Sequence, residues 1–231
     1  MVYLRNPVGY AELEADFAWE RTSRAKKASG GSTRLSGLNR ALRARLGLTG
    51  GRRADGRFLS WFGPGPVLDI GCGGRLRVGP PMIPHGIELS RGLWAESDRQ
   101  MRELGGECLH AAGAEGIWRW PEGKFAGVIL HSYLEHEVDV RGVLAGIWRA
   151  LRPGGKVYVR VPNFGSLNRR VIGASWCGFR HPDHVNYFTR ATLGRFAREA
   201  GFAMRLLNRW NLWLDDNIQV LLTRQPAGAA R

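Results

Sequence analysis

From residue 66 onward, short apolar runs alternate with longer amphipathic stretches. Apolar runs bounded by Gly, Pro or Asp are typical of buried strands, and apolar positions three or four residues apart are typical of helices. The pattern predicts strands at 66–70, 85–88, 107–110, 125–131 and 155–161, helices at 91–105, 139–151 and 189–200, and closing strands near 202–209 and 217–223. Alternating strands and helices form a mostly parallel sheet. We therefore expect an α/β, Rossmann-like domain with a seven-stranded sheet, helices on both faces and an antiparallel last hairpin strand.

The first 55 residues have a different pattern, in which basic residues separate the apolar ones. Helices are predicted over 10–28 and 35–46, and the second sets leucines on one face and arginines off it. Such a helix can dock on its own domain or lie on a membrane surface, so peripheral membrane contact is an open expectation. A further helix is expected over 56–62, with Asp55 as its N-cap.

Three regions of the chain follow from these patterns. We predict a basic helical cap at 1–55, an α/β domain at 56–223 and a disordered tail at 224–231. The connection at 163–188 reads as a loop, and Thr189 is expected to cap the helix that follows it.

Charge is distributed unevenly along the chain, whose formal net charge is +14. Basic residues outnumber acidic ones by 12 to 5 in residues 1–60 and by 9 to 2 in residues 160–210, whereas residues 61–159 hold 11 of each. An arginine-rich solvated surface and an anionic partner both account for this excess. We expect the two basic flanks to lie on one side of the molecule and to face an anionic partner.

The same composition argues against several classes of protein. No apolar stretch is long enough to span a membrane, and the N-terminus lacks the apolar core of a signal peptide. The three cysteines are far apart and form no CxxC pair, which disfavours a disulfide framework and a zinc site. A cytoplasmic protein in a reducing compartment is expected.

Two acidic residues end neighbouring predicted strands. The strand at 66–70 runs into the glycine-rich turn of the sequence VLDIGCGG, in which Asp69 precedes Gly71 and Gly73. Leu76 stands where a dinucleotide fingerprint would need glycine. Glu88 ends the next strand 19 residues after Asp69, where a carboxylate can accept both hydroxyls of a ribose. In the alternative without a ligand, Asp69 accepts hydrogen bonds from its own turn, and Glu88 stabilises the N-terminus of the helix that follows.

Four segments together resemble the successive motifs of class I S-adenosylmethionine-dependent methyltransferases. They are VLDIGCGG with Glu88, HSYLEH at 131–136, LRPGGKVYVRVPN at 151–163 and HPDHVNYFT at 181–189. The chain is similar to the bacterial small-molecule methyltransferases that carry a Glu-His pair after the fourth strand of their sheet. The resemblance implies S-adenosylmethionine as the methyl donor and leaves the acceptor open, because one fold hosts many functions.

The resemblance also assigns residues to the donor. Gly71 and Gly73 would line its methionine part, Asp69 would lie near its amino group, and Glu88 would bind its ribose. The implied donor-binding residues are Asp69, Gly71, Cys72, Gly73, Glu88, Leu89, His131 and Ser132. His131 and Ser132 would border the donor through their backbone.

Three departures from the family pattern concern the same site. Arg75 replaces the third glycine of the turn and is expected to pair with the donor carboxylate or to point to solvent. Prolines 80, 81 and 84 leave little room for the helix that follows the turn in the family, so a loop is expected there. The acidic residue that touches adenine in many relatives is absent, and residues 111–113 read Ala-Ala-Gly.

Histidines dominate the acceptor side of the predicted site. Methyl transfer is a direct displacement, so the protein must align the acceptor and remove its proton. The candidate catalytic residues are His184, His181 and His136, with His184 preferred; the structural alternative is that they brace the loop. Glu135, His136 and Glu137 form a minor option for a cation, and no metal is expected, because adjacent residues on one turn rarely face one ion.

The sequence thus favours an S-adenosylmethionine-dependent methyltransferase that acts on an oxygen of a small anionic or glycan-linked acceptor. One alternative is an RNA methyltransferase, which the basic flanks would suit, although no nucleic-acid module is recognisable. The other is a non-catalytic donor-binding or scaffold protein of methyltransferase ancestry. The oligomeric state is left open.

Overall fold

A computed structural model describes residues 2–4 and 54–226 and places seven strands in one sheet. These strands are β2 (Gly65–Ile70), β3 (Met82–Glu88), β4 (Cys108–His110), β5 (Phe125–His131), β6 (Leu151–Pro162), β8 (Phe202–Leu206) and β9 (Asn217–Arg224). Their order across the sheet is β4-β3-β2-β5-β6-β9-β8. Strand β9 runs antiparallel to both of its neighbours and the other pairs are parallel, which confirms the predicted fold.

Helices cover both faces of the sheet. They are α1 (Ala54–Phe62), α2 (Arg91–Arg102), α3 (Gly113–Gly116), α4 (Val140–Ala150), α5 (Leu167–Ile172) and α6 (Arg190–Glu199), with single 3-10 turns at Ile117–Arg119 and Gly173–Ser175. Successive strand residues point to opposite faces. Val67 packs with the aromatic residues of α1, whereas the next residue, Leu68, joins the larger core that includes α4 and α6. Among the described residues, no helix is long and apolar enough to cross a membrane.

The predicted boundaries agree best where a helix has a strong cap. Helix α6 begins after Thr189, whose hydroxyl accepts from the Thr192 amide at 3.2 Å while the Thr192 hydroxyl accepts from the Thr189 amide at 2.9 Å. Strand β5 occupies the predicted residues, because its continuous apolar run is buried between neighbours on both sides.

Other boundaries were predicted incorrectly. Asp55 lies inside α1 and does not precede it, because the helix begins at Ala54. Strand β3 begins at Met82 and includes Pro84, because Gly65–Ile70 of β2 pairs with it over its first six residues. The 163–188 connection holds α5, a 3-10 turn and the strand β7 (Asn186–Tyr187), which pairs with β1 (Val2–Tyr3). The predicted helices over 10–28 and 35–46 lie outside the described residues.

The connection from β2 to β3 has no helix, as the prolines predicted. Residues 71–81 join β2 to β3 as a loop, and the buried side chain of Val78 anchors it to the core beside α1. The donor turn is therefore followed by a loop at the carboxyl edge of the sheet.

Candidate active site

The glycine-rich turn after β2 has a backbone that only glycine adopts without strain. Gly71, Gly73 and Gly74 have φ angles of 71°, 65° and 71°. A Cβ atom added at Gly71 would lie 2.9 Å from the ring of Tyr133. The turn therefore brings bare backbone to the carboxyl edge of the sheet, where open α/β sheets bind ligands.

Glu88 fastens this turn to the end of β3. Its Oε2 accepts a hydrogen bond from the Gly73 amide at 2.8 Å, and its Oε1 accepts one from the Ser90 amide at 2.9 Å. Burial raises the pKa of Glu88, and the amide donors oppose that shift. Each carboxylate oxygen has a second lone pair, so Glu88 can hold the turn and still accept ribose hydroxyls.

Asp69 is buried at the end of β2 beside an arginine that the sequence analysis did not select. The Nε atom of Arg77 lies 2.8 Å from Oδ2 of Asp69, but its N–H is not aligned for a hydrogen bond. Both Asp69 oxygens consequently lack a hydrogen-bond donor among the described residues. Burial raises the pKa of Asp69 to about 7, and the Arg77 charge opposes that rise. A buried carboxylate without a donor suits the ammonium group of the expected methyl donor.

The other donor-binding candidates divide into side-chain and backbone positions. Cys72 is fully buried and its thiol contacts Ser97, so only its backbone can border the donor. The carbonyl of Leu89 lies 2.8 Å from Nε2 of His110, which packs against Trp94 with ring centroids 5.2 Å apart. This pair of rings stands at the carboxyl ends of β3 and β4.

His131 ends β5, and Ser132 follows it in a strained backbone conformation. Ser132 has a φ of 56° and is the one non-glycine residue with a positive φ in the described part of the chain. Arg160 of β6 donates to the Ser132 hydroxyl at 2.9 Å, and its Nη1 lies 3.3 Å from Nε2 of His131. Burial, together with the charges of Arg77, Arg160 and Arg75, lowers the pKa of His131 to about 3. The strained backbone of Ser132 and the contacts of Arg160 with the His131 and Ser132 side chains together fix this wall of the site.

The turn after β5 brings a carboxylate and two imidazoles together. Oxygen and nitrogen ligand atoms of Glu135, His136 and His184 lie within 4.8 Å of one another, and the two histidine rings meet edge to face at 4.7 Å. The segment that carries His184 is tied to this turn, because the Glu135 carbonyl accepts from the amides of Val185 and Asn186 at 2.8 and 3.0 Å. We call Glu135, His136 and His184 the Glu-His-His cluster.

The hydrogen bonds of the two histidines fix their tautomers. Nδ1 of His136 lies 2.7 Å from the carbonyl oxygen of Asp183, and Nδ1 of His184 lies 2.8 Å from that of Gly178. A carbonyl only accepts, so each Nδ1 carries a proton and, in the neutral ring, Nε2 is the nitrogen without one. Burial lowers the pKa of His136 to about 3, and burial raises the pKa of Glu135 to about 8. Oε2 of Glu135 has no hydrogen-bond partner among the described residues.

The structure separates the sequence-predicted catalytic histidines. His136 and His184 belong to the cluster, whereas His181 is exposed three residues before His184. The cation group that the sequence analysis weighed changes, since His184 takes the place of Glu137, which instead accepts from the amide of Asp139. Arg75 is exposed at the rim of the loop.

Sequence reasoning missed two arginines at this edge. Arg77 and Arg160 approach Asp69 and Ser132 only because the chain folds back on itself. The signal that was available is their placement, in the loop after the donor turn and at the end of a predicted strand.

Comparisons with known proteins identify the family of the chain. The profile of the methyltransferase-domain family matches residues 34–207. Two curated relatives are ubiquinone biosynthesis O-methyltransferases. That of Thiobacillus denitrificans is 31% identical over 58% of this chain and 63% of its own length, and that of Methylococcus capsulatus is 28% identical over 71% and 78%.

Solved structures share the fold at lower sequence identity. A methyltransferase of Archaeoglobus fulgidus is 14% identical, with a TM-score of 0.60 over 88% of this chain and 99% of its own. The 1,6-didemethyltoxoflavin-N1-methyltransferase of Burkholderia thailandensis, solved with S-adenosylhomocysteine, is 18% identical, with a TM-score of 0.57 over 97% and 95%. The family match, the sheet order and the donor turn with its two buried acids lead to one conclusion: the chain belongs to the class I S-adenosylmethionine-dependent methyltransferases.

Proposed function

We propose that this methyltransferase transfers the methyl group to a hydroxyl oxygen of a small anionic acceptor. The observation that carries the proposal is the Glu-His-His cluster, which sets the buried Glu135 carboxyl and the imidazoles of His136 and His184 at the same sheet edge as the donor turn. The curated relatives support oxygen as the acceptor atom, since they are named O-methyltransferases.

The reaction needs a proton acceptor. The hydroxyl oxygen attacks the methyl carbon, the bond from that carbon to sulfur breaks, S-adenosylhomocysteine leaves and the hydroxyl proton must be taken up. We assign that proton to Nε2 of His184, whose Nδ1 proton is held by the Gly178 carbonyl. His136 packs against this ring and restricts its orientation. General base catalysis of this kind contributes about a hundredfold or more to the rate.

A divalent cation is the second candidate for the same task, although the sequence analysis expected no metal. Each histidine of the cluster is oriented by a backbone carbonyl through Nδ1, the arrangement that metal-binding histidines commonly have. Glu135, His136 and His184 would hold the ion. Bound there, it would polarise the acceptor hydroxyl and so replace the proton-accepting role of His184.

Charge favours an anionic acceptor over a neutral one. The charges of Arg160 and Arg180 lower the pKa of the Glu135 carboxyl against the effect of burial. Arg160 contacts the Ser132 hydroxyl beside the cluster, and Arg180 pairs with Asp183 at 3.5 Å. We find no described feature that favours a glycan-linked acceptor. An RNA acceptor and a non-catalytic scaffold are not supported by the names of the relatives.

Paired variants test the assignment of His184. His184→Gln should retain its thermal midpoint and its affinity for S-adenosylhomocysteine, while single-turnover methylation of a hydroxybenzoate slows about a hundredfold or more. The matched control is His181→Gln, which removes an exposed imidazole of the same segment and should transfer methyl at the native rate. A native rate in His184→Gln, or a loss explained by unfolding, would place the base elsewhere.

Chelation separates the two candidate roles of the cluster. If His184 acts as a base, treatment with a chelator leaves the single-turnover rate unchanged. If a cation acts, the rate falls and returns when Mg²⁺ or Zn²⁺ is added back, and calorimetry detects binding of that ion that Glu135→Gln weakens.

A further inference from the structure

An exposed apolar surface lies beside the active site. It is formed by side chains of α5 and of the β8–β9 connection, namely Leu167, Val171, Ile172, Trp210, Trp213 and Leu214, which we call the apolar face. Val171, Trp210 and Trp213 are 77%, 82% and 60% exposed. Soluble monomers rarely leave such a group of large apolar side chains together in water, and its presence marks a binding surface.

Hydrogen bonds between the two segments make the face one structural unit. The Leu167 amide donates to the Trp213 carbonyl at 2.8 Å, and the Asn168 side chain donates to the Leu214 carbonyl at 3.2 Å. Leu167 and Val171 are four residues apart in α5 and share one side of it. The face is therefore held in shape by the fold.

Topology places the apolar face at the functional edge of the sheet. α5 follows the end of β6, and because β8 runs parallel to β6, the β8–β9 connection begins at the same edge. The donor turn and the Glu-His-His cluster also follow strand ends at this edge. A partner seated on the apolar face would therefore lie beside the acceptor entrance.

Charge around the apolar face is positive on its outer side. Arg170 and Arg209 are exposed there, and the guanidinium of Arg209 lies 4.3 Å from the ring centroid of Trp210. The two acidic residues of the connection face inward. Asp216 accepts from Asn168 and Trp176, among others, and Asp215 accepts from Asn208 and from the Asn217 amide.

A cavity of about 730 Å³ next to the apolar face is also lined by basic and apolar residues. The residues that line it include Arg190, Arg198 and Arg209 together with Met204, Leu212 and Trp213. That mixture suits a headgroup that carries negative charge next to hydrocarbon.

We propose that the apolar face docks the enzyme on a bilayer with anionic headgroups, so that an acceptor dissolved in the membrane can reach the active site. Tryptophan and arginine favour the interface of a bilayer, and aliphatic side chains enter its outer hydrocarbon. Val171, Ile172 and Leu214 cannot stack on nucleobases, which disfavours RNA as the occupant. The docking does not depend on the proposed function. Only the statement that the acceptor is lipid-soluble rests on the proposed function.

Vesicle sedimentation of the full chain tests the docking. Wild-type protein should sediment with vesicles of phosphatidylglycerol and phosphatidylcholine and remain in solution with phosphatidylcholine alone. Trp210→Ser with Trp213→Ser should weaken sedimentation by at least about tenfold, because the interfacial aromatic anchors are lost. Arg170→Glu with Arg209→Glu should weaken it chiefly at low salt, where charge attraction is strongest.

The matched control carries the same changes away from the face. Trp118 is 50% exposed beside the exposed Arg119, and its carbonyl accepts from Arg149 near the end of α4, so it lies toward the opposite edge of the sheet. Trp118→Ser with Arg119→Glu should sediment like wild type. Equal loss in this control, or no loss in the tryptophan variant, would overturn the proposal.

Two further outcomes would also overturn it. One is displacement of the protein from vesicles by an RNA oligonucleotide, and the other is a dimer, seen by analytical ultracentrifugation, that the tryptophan variant abolishes. Methylation of a water-soluble hydroxybenzoate separates this proposal from the proposed function. The tryptophan variant should retain that activity, and a wild type that docks without methylating would defeat the proposed function alone.

Discussion

Replacement of Glu88 by glutamine tests the donor site most directly. In the native chain, the two carboxylate oxygens accept the amides of Gly73 and Ser90 at 2.8 and 2.9 Å. Glu88→Gln keeps the shape of the side chain but turns one of these acceptors into an NH₂ group, which cannot accept from an amide. The turn and the ribose then compete for one remaining oxygen, so donor binding loses at least one hydrogen bond to a charged acceptor.

The size of the loss follows from that count. A hydrogen bond to a charged group contributes about 1.5–3 kcal/mol, so the Kd for S-adenosylhomocysteine should rise by roughly tenfold to 150-fold. Isothermal titration calorimetry measures it, after thermal unfolding has shown that the variant is folded. Loss of one of these hydrogen bonds to a backbone amide should also lower the free energy of unfolding by about 1 kcal/mol.

A surface variant controls for the change of charge. Glu103 follows α2, and its carboxylate pairs with Arg99 at 3.0 Å in an exposed position. Glu103→Gln should change the Kd by no more than about twofold, since exposed ion pairs contribute little. If folded Glu88→Gln binds S-adenosylhomocysteine as tightly as wild type, Glu88 does not bind the ribose and the donor lies differently on the sheet.

Three further results are expected. Burial raises the pKa of Asp69 from 3.8 to about 7, so its ionised form is disfavoured in the folded chain and the free energy of unfolding should fall as pH rises through that interval. Affinity for S-adenosylhomocysteine should instead increase from about pH 6 to pH 8, because the carboxylate that pairs with its ammonium group forms over that range. Asp69→Asn should flatten both profiles, as measured by thermal scans and by calorimetry. Gly71→Ala forces a side chain into a left-handed backbone 2.9 Å from the Tyr133 ring, so it should lose about 1–2 kcal/mol of stability and most donor binding, whereas Gly79→Ala, which meets nothing within 4 Å, should be neutral in the same titration. Thr189→Ala removes one half of a capping box and should lower the free energy of unfolding by about 1 kcal/mol in urea, without changing the Kd of the donor.

Features that depend on residues close together in the chain could be predicted from the sequence. The residues of β5 could be identified because a buried parallel strand needs a continuous apolar run, and that run ends at His131. The start of α6 could be identified because Thr189 can cap the helix through its own side chain. Asp69 and Glu88 could be selected because each ends a strand, and parallel strands end at the same edge.

Contacts between distant segments could not be read from the sequence. The meeting of His136 with His184 depends on how residues 183–187 pack against the turn after β5, which hydrogen bonds across 47 residues decide. The pairing of Asp69 with Arg77 depends on the path of a loop without regular structure. Periodicity does not report either event, and for that reason the minor cation option weighed from the sequence contained Glu137 and not His184.

The helix-free loop at 71–81 has a consequence for the kinetics of turnover. Two adjacent residues anchor its second half, where Arg77 pairs with Asp69 and the side chain of Val78 is buried. A segment without the repeated hydrogen bonds of a helix opens at a smaller free energy than a helix packed along its length, and it does so without disturbing the sheet. We therefore expect the residence time of S-adenosylhomocysteine to be set by opening of this loop, so that Val78→Ala shortens it in stopped-flow dissociation while the rate of the chemical step is unchanged.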